Sequence, residues 1–470
     1  HQPRFGARMA FRTGAGSSGT NRTDSDTHRP NAGSGLTPAP AGHRAELHIE
    51  RVVLSNGLVL LLSENHTTPA VSVRAVVNAG SRFEPDQKAG LASLVGELLD
   101  EGTAARTSRQ IAETVESLGA KLETYGEYQT SGVAGAFLAK DFPVGLDVIA
   151  DIITGAIFPE DKVEDRIDRR MAQIKSRLDV PRVLASDTFN QIIFKGYPQH
   201  RPSIGFAETV KALTRENLLE YFRRYYVPNN TILAIVGDID IDSAKQKAEE
   251  MFGHWPGKAG FDLPDIPLPK RQTAPIERFV SAPKEQVNIY MGHLGIQRKN
   301  PDYYALLIMD TILGSSPGFT SRIPRILRDE EGLAYTTFSN ITGSARLDPG
   351  RFVAYIGTSP QNLDQALVGL KREISRMVHE PVTADELESA KSYLTGNFVF
   401  DFQTNSQVAQ FALDAETYEL GFDYLLRYPE LIRDVTIEDV SRVANKYIDP
   451  ERMTTVVVGP VAKNESGGRA

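Results

Sequence analysis

Thr214–Gly237 reads TRENLLEYFRRYYVPNNTILAIVG, and Thr436–Gly459 reads TIEDVSRVANKYIDPERMTTVVVG. The two segments align without a gap at an offset of 222 residues. In both, a Thr stands where a helix needs its N-cap. A tyrosine follows on the helix (Tyr225, Tyr447), then a proline (Pro228, Pro450), then an apolar strand ending in glycine (Gly237, Gly459). A helix or a strand alone recurs by chance; cap, tyrosine, proline and strand in one register do not. The spacing is far too long for a solenoid repeat. It specifies an α+β chain of two homologous domains, each a mostly antiparallel sheet packed with helices. The two are expected to face each other as a clam-shell around a cavity.

The rest of the chain divides around this repeat. At 470 residues it is longer than one ordinary domain. It begins at His1, which reads as a processed chain or a fragment, and no signal peptide is apparent. Residues 1–45 are rich in Gly, Ser, Thr, Arg and Pro and poor in large apolar side chains, the composition of a disordered leader. Residues 46–255 form the first domain and 276–462 the second. Between them, 256–275 carries Pro256, Pro264, Pro267, Pro269 and Pro275 and reads as an extended linker. Residues 463–470 read as a flexible tail.

In the first domain, Arg51–Glu64 predicts a hairpin turning at Asn56-Gly57. A strand near Val71–Ala79 follows, then helices over Gln87–Glu101 and Ser108–Leu118. Strands around Lys121–Leu138 and helices near Phe142–Ile157 and Glu160–Leu178 complete the pattern before the repeat. In the second domain the order is strand Gln286–Gly292, helix Tyr303–Leu313, strands near Tyr335–Thr342 and Phe352–Thr358, then helices Leu363–His379 and Thr383–Phe400. Thr383 and Glu386 open the last of these as a capping box.

Composition excludes several functions. A net charge of −8 argues against a general nucleic-acid binder. No run of 18 apolar residues predicts a spanning helix. With no cysteine there is no disulfide, thiolate metal site or cysteine nucleophile. Compartment is open between bacterial cytoplasm and periplasm.

The segment AGSRFEPDQKAGLASLVGELLDEGT, Ala79–Thr103, resembles the signature of the pitrilysin/insulinase-type (inverzincin) metallopeptidase superfamily, H-x-x-E-H on a helix. The resemblance covers about Glu46 to Val461. In that motif two imidazoles on one helical face hold zinc, the Glu between them is the general base, and a downstream carboxylate completes the ligands. Laid on this chain, the first His position is Ser93, the base position Gly96, the second His position Glu97, and the downstream position is expected at Gln173. Of these four, Glu97 alone is a good metal ligand. The nine histidines, at 1, 28, 43, 48, 66, 200, 254, 293 and 379, include no pair spaced three or four apart. The expectation is a chain that binds no zinc.

A second segment, LGSSPGFTSRIPRILRDEEGLAYTTFS (Leu313–Ser339), resembles the family's C-terminal element: a glycine-rich loop, a helix and a strand. The resemblance implies that Arg328 and Tyr335 reach across a cavity to a zinc site, and that Gly314, Ser315, Ser316 and Gly318 form a substrate loop. Arg322–Glu331 reads as a helix stopped by Gly332. A phenol there can donate to a developing oxyanion, and a guanidinium can bind a substrate carbonyl. Read without the family, Arg328 is a solvated helix charge and Tyr335 a half-buried strand residue. Ser339–Ser344 and Phe352–Ile356 are candidate edges for an added peptide strand.

Taken together, the resemblance implies the non-catalytic subunit of a heterodimeric zinc metallopeptidase. The metal would sit in a homologous partner, and Arg328 and Tyr335 would act in trans on a peptide substrate. The alternative is a peptidase-derived structural core protein, as in the core subunits of respiratory cytochrome reductase. An independent metallopeptidase is disfavoured by the ligand count.

Overall fold

The computed structural model describes residues 47–316 and 321–461. The expected leader 1–45, Gly318 of the substrate loop and the tail 463–470 lie outside the described residues. Eleven strands among the described residues make two sheets. The first contains β1 (Glu50–Val53), β2 (Val59–Glu64), β3 (Ala70–Val77), β4 (Lys121–Gly126), β5 (Ser131–Leu138) and β6 (Thr231–Gly237), in the order β1-β2-β6-β3-β5-β4. The second contains β7 (Ile276–Ser281), β8 (Val287–Leu294), β9 (Thr336–Asn340), β10 (Arg351–Thr358) and β11 (Thr454–Gly459), in the order β7-β11-β8-β10-β9.

Apart from β1, the two orders are the same, strand for strand. Each sheet has one parallel pair, β2 with β6 and β7 with β11, and antiparallel pairs elsewhere. The repeat read in one helix and one strand therefore extends to whole sheets. Strand β7, which sequence patterning did not place, supplies the match to β2. It is largely exposed at the sheet edge, so it carries no clear apolar alternation.

Two helices exchange sides. Pro181–Ile193 belongs to the first half of the chain, yet Ala185, Phe189 and Ile193 pack into one cluster with Tyr290, Val353 and Val456 of the second sheet. Asn405–Thr417 belongs to the second half, yet lies on the first sheet: Asn405 Nδ2 donates to the Ala70 carbonyl at 2.8 Å, and Arg74 donates to Gln410 at 3.0 Å and Ser406 at 2.9 Å. The seam also contains an ion pair between the half-buried Arg82 and the buried Asp348. Arg82 donates to Asp348 at 2.5 and 2.7 Å, and the Tyr128 hydroxyl joins it at 2.8 Å.

Local chemistry shapes the elements around the site. In the β1–β2 turn only Gly57 takes a positive φ, +92°; Asn56 instead ties the turn to the Phe252 and Trp255 carbonyls. The predicted helix Gln87–Glu101 is shorter, Leu91–Glu97. Gly90, at φ +99°, breaks the chain before it, and the buried Glu84 carboxylate accepts from the Gly90 and Ala92 amides at 2.9 and 2.8 Å. That carboxylate satisfies two amides at a helix start that lacks a side-chain cap. The Pro-rich linker is extended but anchored. Trp255, Phe261 and Leu263 pack on the first core, Ile266 on the second cluster, and Arg271 holds the buried His293 ring. Among the described residues no helix is long and apolar enough to cross a membrane.

Candidate functional site

The degenerate motif sits on the helix Leu91–Glu97, whose apolar face (Leu91, Leu94, Val95) is buried in the first core. The other side of the helix meets the long helix Glu160–Leu178 and the edge strand β4. Gly96 faces β4 so closely that a Cβ there would lie 2.3 Å from the Tyr125 carbonyl oxygen and 2.6 Å from Gly126 Cα. Gly126 is matched to this contact, since its own Cβ would lie 2.7 Å from Ser93 Cα. A glutamate at position 96, the general base of the motif, has no room while β4 stays in place.

Ser93 and Glu97 point to the long helix, where the residue that meets them is Arg170. Its guanidinium, 1% exposed, donates through Nη1 to Ser93 Oγ at 2.7 Å and the Ile204 carbonyl at 3.2 Å, and through Nη2 to Glu97 Oε2 at 2.6 Å. Arg166, one turn earlier, lies 3.3 Å from both Glu97 and Glu101. Lys162 pairs with Glu101 at 3.0 Å. Burial works against the Glu101 charge, but the Lys162 and Ser108 bonds with Arg166 beyond them hold its carboxyl below the ordinary value. Asp100 beside it is pushed up by burial and by the Glu101 charge.

Gln173, the downstream position expected from sequence, is exposed and takes no part in this cluster. It lies three residues after Arg170, nearly a full helical turn along the same helix. These residues do not fit zinc. One hydroxyl and one carboxylate face a buried guanidinium, and among the described residues no three His, Asp or Glu gather to hold a metal ion.

The second candidate region lies at β9. Tyr303–Asp310 is α-helical and passes into a wider π turn over Thr311–Ser315; Pro324–Glu330, predicted as ordinary helix, is likewise π-helical. Gly332, at φ +64°, ends that segment as expected. Of the substrate-loop residues, Gly314 is buried against β9, where a Cβ would lie 2.6 Å from the Ser339 nitrogen. Ser315 is half-buried, and the buried Ser316 donates its amide to Ser321 Oγ at 3.2 Å. Arg322 pairs through two bonds, 2.7 and 2.8 Å, with Glu386, which also caps its own helix through Thr383. This clamps the segment before Arg328 to the start of the helix Ala384–Phe398.

Arg328 is half-buried, with Nε donating to Asp329 at 2.8 Å. Tyr335 immediately precedes β9. Its amide is fixed to the Gly357 carbonyl at 2.9 Å, while its side chain is 63% exposed. The predicted peptide edges change. Phe352–Ile356 lies on β10, which is paired on both sides, so it offers no edge. β9 is the edge strand, but it stops at Asn340, and the Ile341 and Thr342 amides are taken by the buried Asp310 carboxylate at 2.8 Å. In the first sheet the corresponding edge is β4.

Two family models match this chain: "Insulinase (Peptidase family M16)" over residues 59–202 and "Peptidase M16 inactive domain" over residues 212–394. A protein of Rickettsia bellii named as an uncharacterized zinc protease is 26% identical over 418 residues, 87% of this chain and 96% of that protein. One of Bacillus subtilis, also named as an uncharacterized zinc protease, is 24% identical over 363 residues, 77% of this chain and 87% of that one. Among solved structures, a peptidase M16 inactive domain from Pseudomonas fluorescens superposes with a TM-score of 0.82 at 24% identity, covering 89% of this chain and 100% of its own. A protease from Helicobacter pylori gives 0.80 at 21% identity, covering 88% and 99%. At these identities the structures speak for the fold. With the repeated sheets and both family models in sequence order, the chain belongs to the insulinase (M16) peptidase family.

Proposed function

We propose that this chain is the zinc-less subunit of a two-chain peptidase, with the metal carried by a homologous partner. In this reading Arg328 and Tyr335 serve the partner's active site. Tyr335 donates its phenol to the oxyanion that develops on a scissile peptide, and Arg328 binds a neighbouring carbonyl. The observation that carries the reading is the exposure of Tyr335 on a rigidly held backbone, set against a motif corner in which Ser93, Gly96 and Glu97 are all committed within the chain. Side chains used in trans must be presented outward, and those of a retired centre need not be. The Arg322–Glu386 clamp supports the reading because it fixes the segment that bears Arg328.

The test is to purify the chain alone, measure bound zinc and peptidase activity, and repeat with an H-x-x-E-H-bearing homologue from the same cell. The expected result is no stoichiometric zinc, no activity alone, and turnover in the pair that drops at least tenfold with Tyr335→Phe. Tight zinc in the isolated chain, or unchanged turnover with Tyr335→Phe, defeats it. Recovery of membrane redox subunits in place of a peptidase would favour a structural core role.

A further inference from the structure

We infer that the Arg170 guanidinium stands where a metal ion would stand, and that it cross-links the motif helix to the long helix in the metal's place. In the H-x-x-E-H arrangement, positions 93 and 97 turn toward one cation and a residue of the following long helix completes its shell. Here the same two positions turn toward one cation, and it is covalently part of the long helix. Ser93 Oγ and Glu97 Oε2 approach the guanidinium at 2.7 and 2.6 Å, hydrogen-bond distances, and the Ile204 carbonyl closes a third side at 3.2 Å.

Burial separates this from an ordinary surface ion pair. Arg170 is among the largest fully buried side chains of the described residues, whereas Glu97 is about one-third exposed. A guanidinium buried to that extent persists only where its donors are satisfied and its charge is balanced. The residues at 93 and 97 supply an acceptor hydroxyl and an anion, which suit a planar, permanently charged donor; for zinc they offer one good ligand, the Glu97 carboxylate, where three are needed. Ser93, Glu97 and Arg170 thus form one chemically matched set. The cation that ties the helices together cannot be chelated away.

This inference concerns the two helices alone and stands whether or not a peptidase partner exists. The experiment uses the full chain. Arg170→Met keeps the stem and removes the charge; its Tm is expected to fall by about 3–6 °C, the scale for removing one partner of a buried pair in a chain of this length. Ser93→His with Glu97→His, leaving Arg170 in place, is expected to bind no zinc at equimolar metal. Adding Arg170→Glu to that pair supplies two imidazoles and one carboxylate, and is expected to take up one zinc per chain by elemental analysis. Its Tm should rise on adding zinc and fall with a chelator. No peptidase activity is expected, since position 96 is still glycine.

The inference is overturned if Arg170→Met melts within about 0.5 °C of the parent, the scale of a minor surface change in a chain of this length. It is equally overturned if the double-histidine variant binds zinc as well as the triple variant does. Should the triple variant fail to fold by circular dichroism, those two comparisons still decide.

Discussion

At edge strand β4 the first half presses a helical glycine, Gly96, onto the strand backbone. At the corresponding edge strand β9 the second half presses Gly314 onto Ser339. Beside each contact lies a buried carboxylate that gathers backbone amides. Glu84 takes Gly90 and Ala92 at the start of the motif helix, and Asp310 takes Ile341 and Thr342 at the end of β9. The two corners are built alike and differ in what they leave over. In the first, the polar side chains at the motif positions are spent on Arg170. In the second, a tyrosine hydroxyl is exposed with no hydrogen-bond partner among the described residues. A corner whose donors and acceptors are mutually satisfied has become framework. One that holds a backbone in place and a hydroxyl outward meets what the proposed role in trans requires.

The strongest way to break this comparison is to return the missing base. Gly96→Glu must push a side chain through the Tyr125–Gly126 backbone, where a Cβ would already lie 2.3 Å from an oxygen. A loss of about 3–5 kcal/mol in unfolding free energy is expected, more than ordinary overpacking costs. Gly314→Ala should cost less, about 1–3 kcal/mol, because part of its clash is with the Ser339 hydroxyl, which can rotate away. Denaturant midpoints of the two variants decide. If Gly96→Glu is tolerated as well as Gly314→Ala, the first corner is not locked.

The paired carboxylates give a pH test. Burial raises Glu84 from 4.5 and Asp310 from 3.8, each to about 7, with the amide and hydroxyl bonds opposing the rise. The folded chain therefore holds protons that the unfolded chain releases. Stability from this source is full below about pH 4 and is lost as pH rises through 7. The loss has a ceiling of about 3 kcal/mol for Glu84 and about 4 kcal/mol for Asp310. Glu84→Gln and Asp310→Asn should each flatten the fall in stability between pH 5 and pH 8. A slope unchanged in both would show that neither carboxylate titrates there.

Loosening the second corner should cost less. Glu386→Gln leaves the nearly buried Arg322 facing a neutral amide, for about 2 kcal/mol. Hydrogen exchange should rise over 322–335 and not over 91–97. Equal exchange in both segments would mean that the clamp supports the fold as a whole.

Much of this was legible in the sequence because it depends on neighbours along the chain. The Thr214 and Thr436 caps, the Thr383–Glu386 box and the glycine stop at Gly332 are local devices, and all stand where the pattern put them. The helix Pro181–Ile193 and strand β7 were not legible, because each is defined by a partner from a distant part of the chain. Neither shows an apolar pattern or cap of its own strong enough to announce it. The motif helix was read too long, since Gly90 and the distant Glu84 carboxylate set its start. At the degenerate site, Ser93, Gly96 and Glu97 could be placed from the motif. Arg170 could not, because the family pattern points three residues further on, to Gln173, and carries no sign of a cation at 170. The available signal was charge: the reading that 93 and 97 could not hold a metal left Glu97 needing a counter-ion, and arginines at 166, 169 and 170 were the candidates on the next helix.

The smallest expected effect bears most directly on function. Tyr335→Phe removes a hydroxyl that makes no hydrogen bond among the described residues, and the exposed ring stays. Stability should change by no more than about 0.5 kcal/mol, as for a surface substitution away from any cap or buried network. That near-neutrality makes the variant informative. If thermal melts of parent and variant coincide while turnover of the reconstituted pair falls, the hydroxyl acts on substrate and not on the fold. If the melt shifts by several degrees, Tyr335 belongs to the framework like Arg170, and the two corners no longer differ in kind.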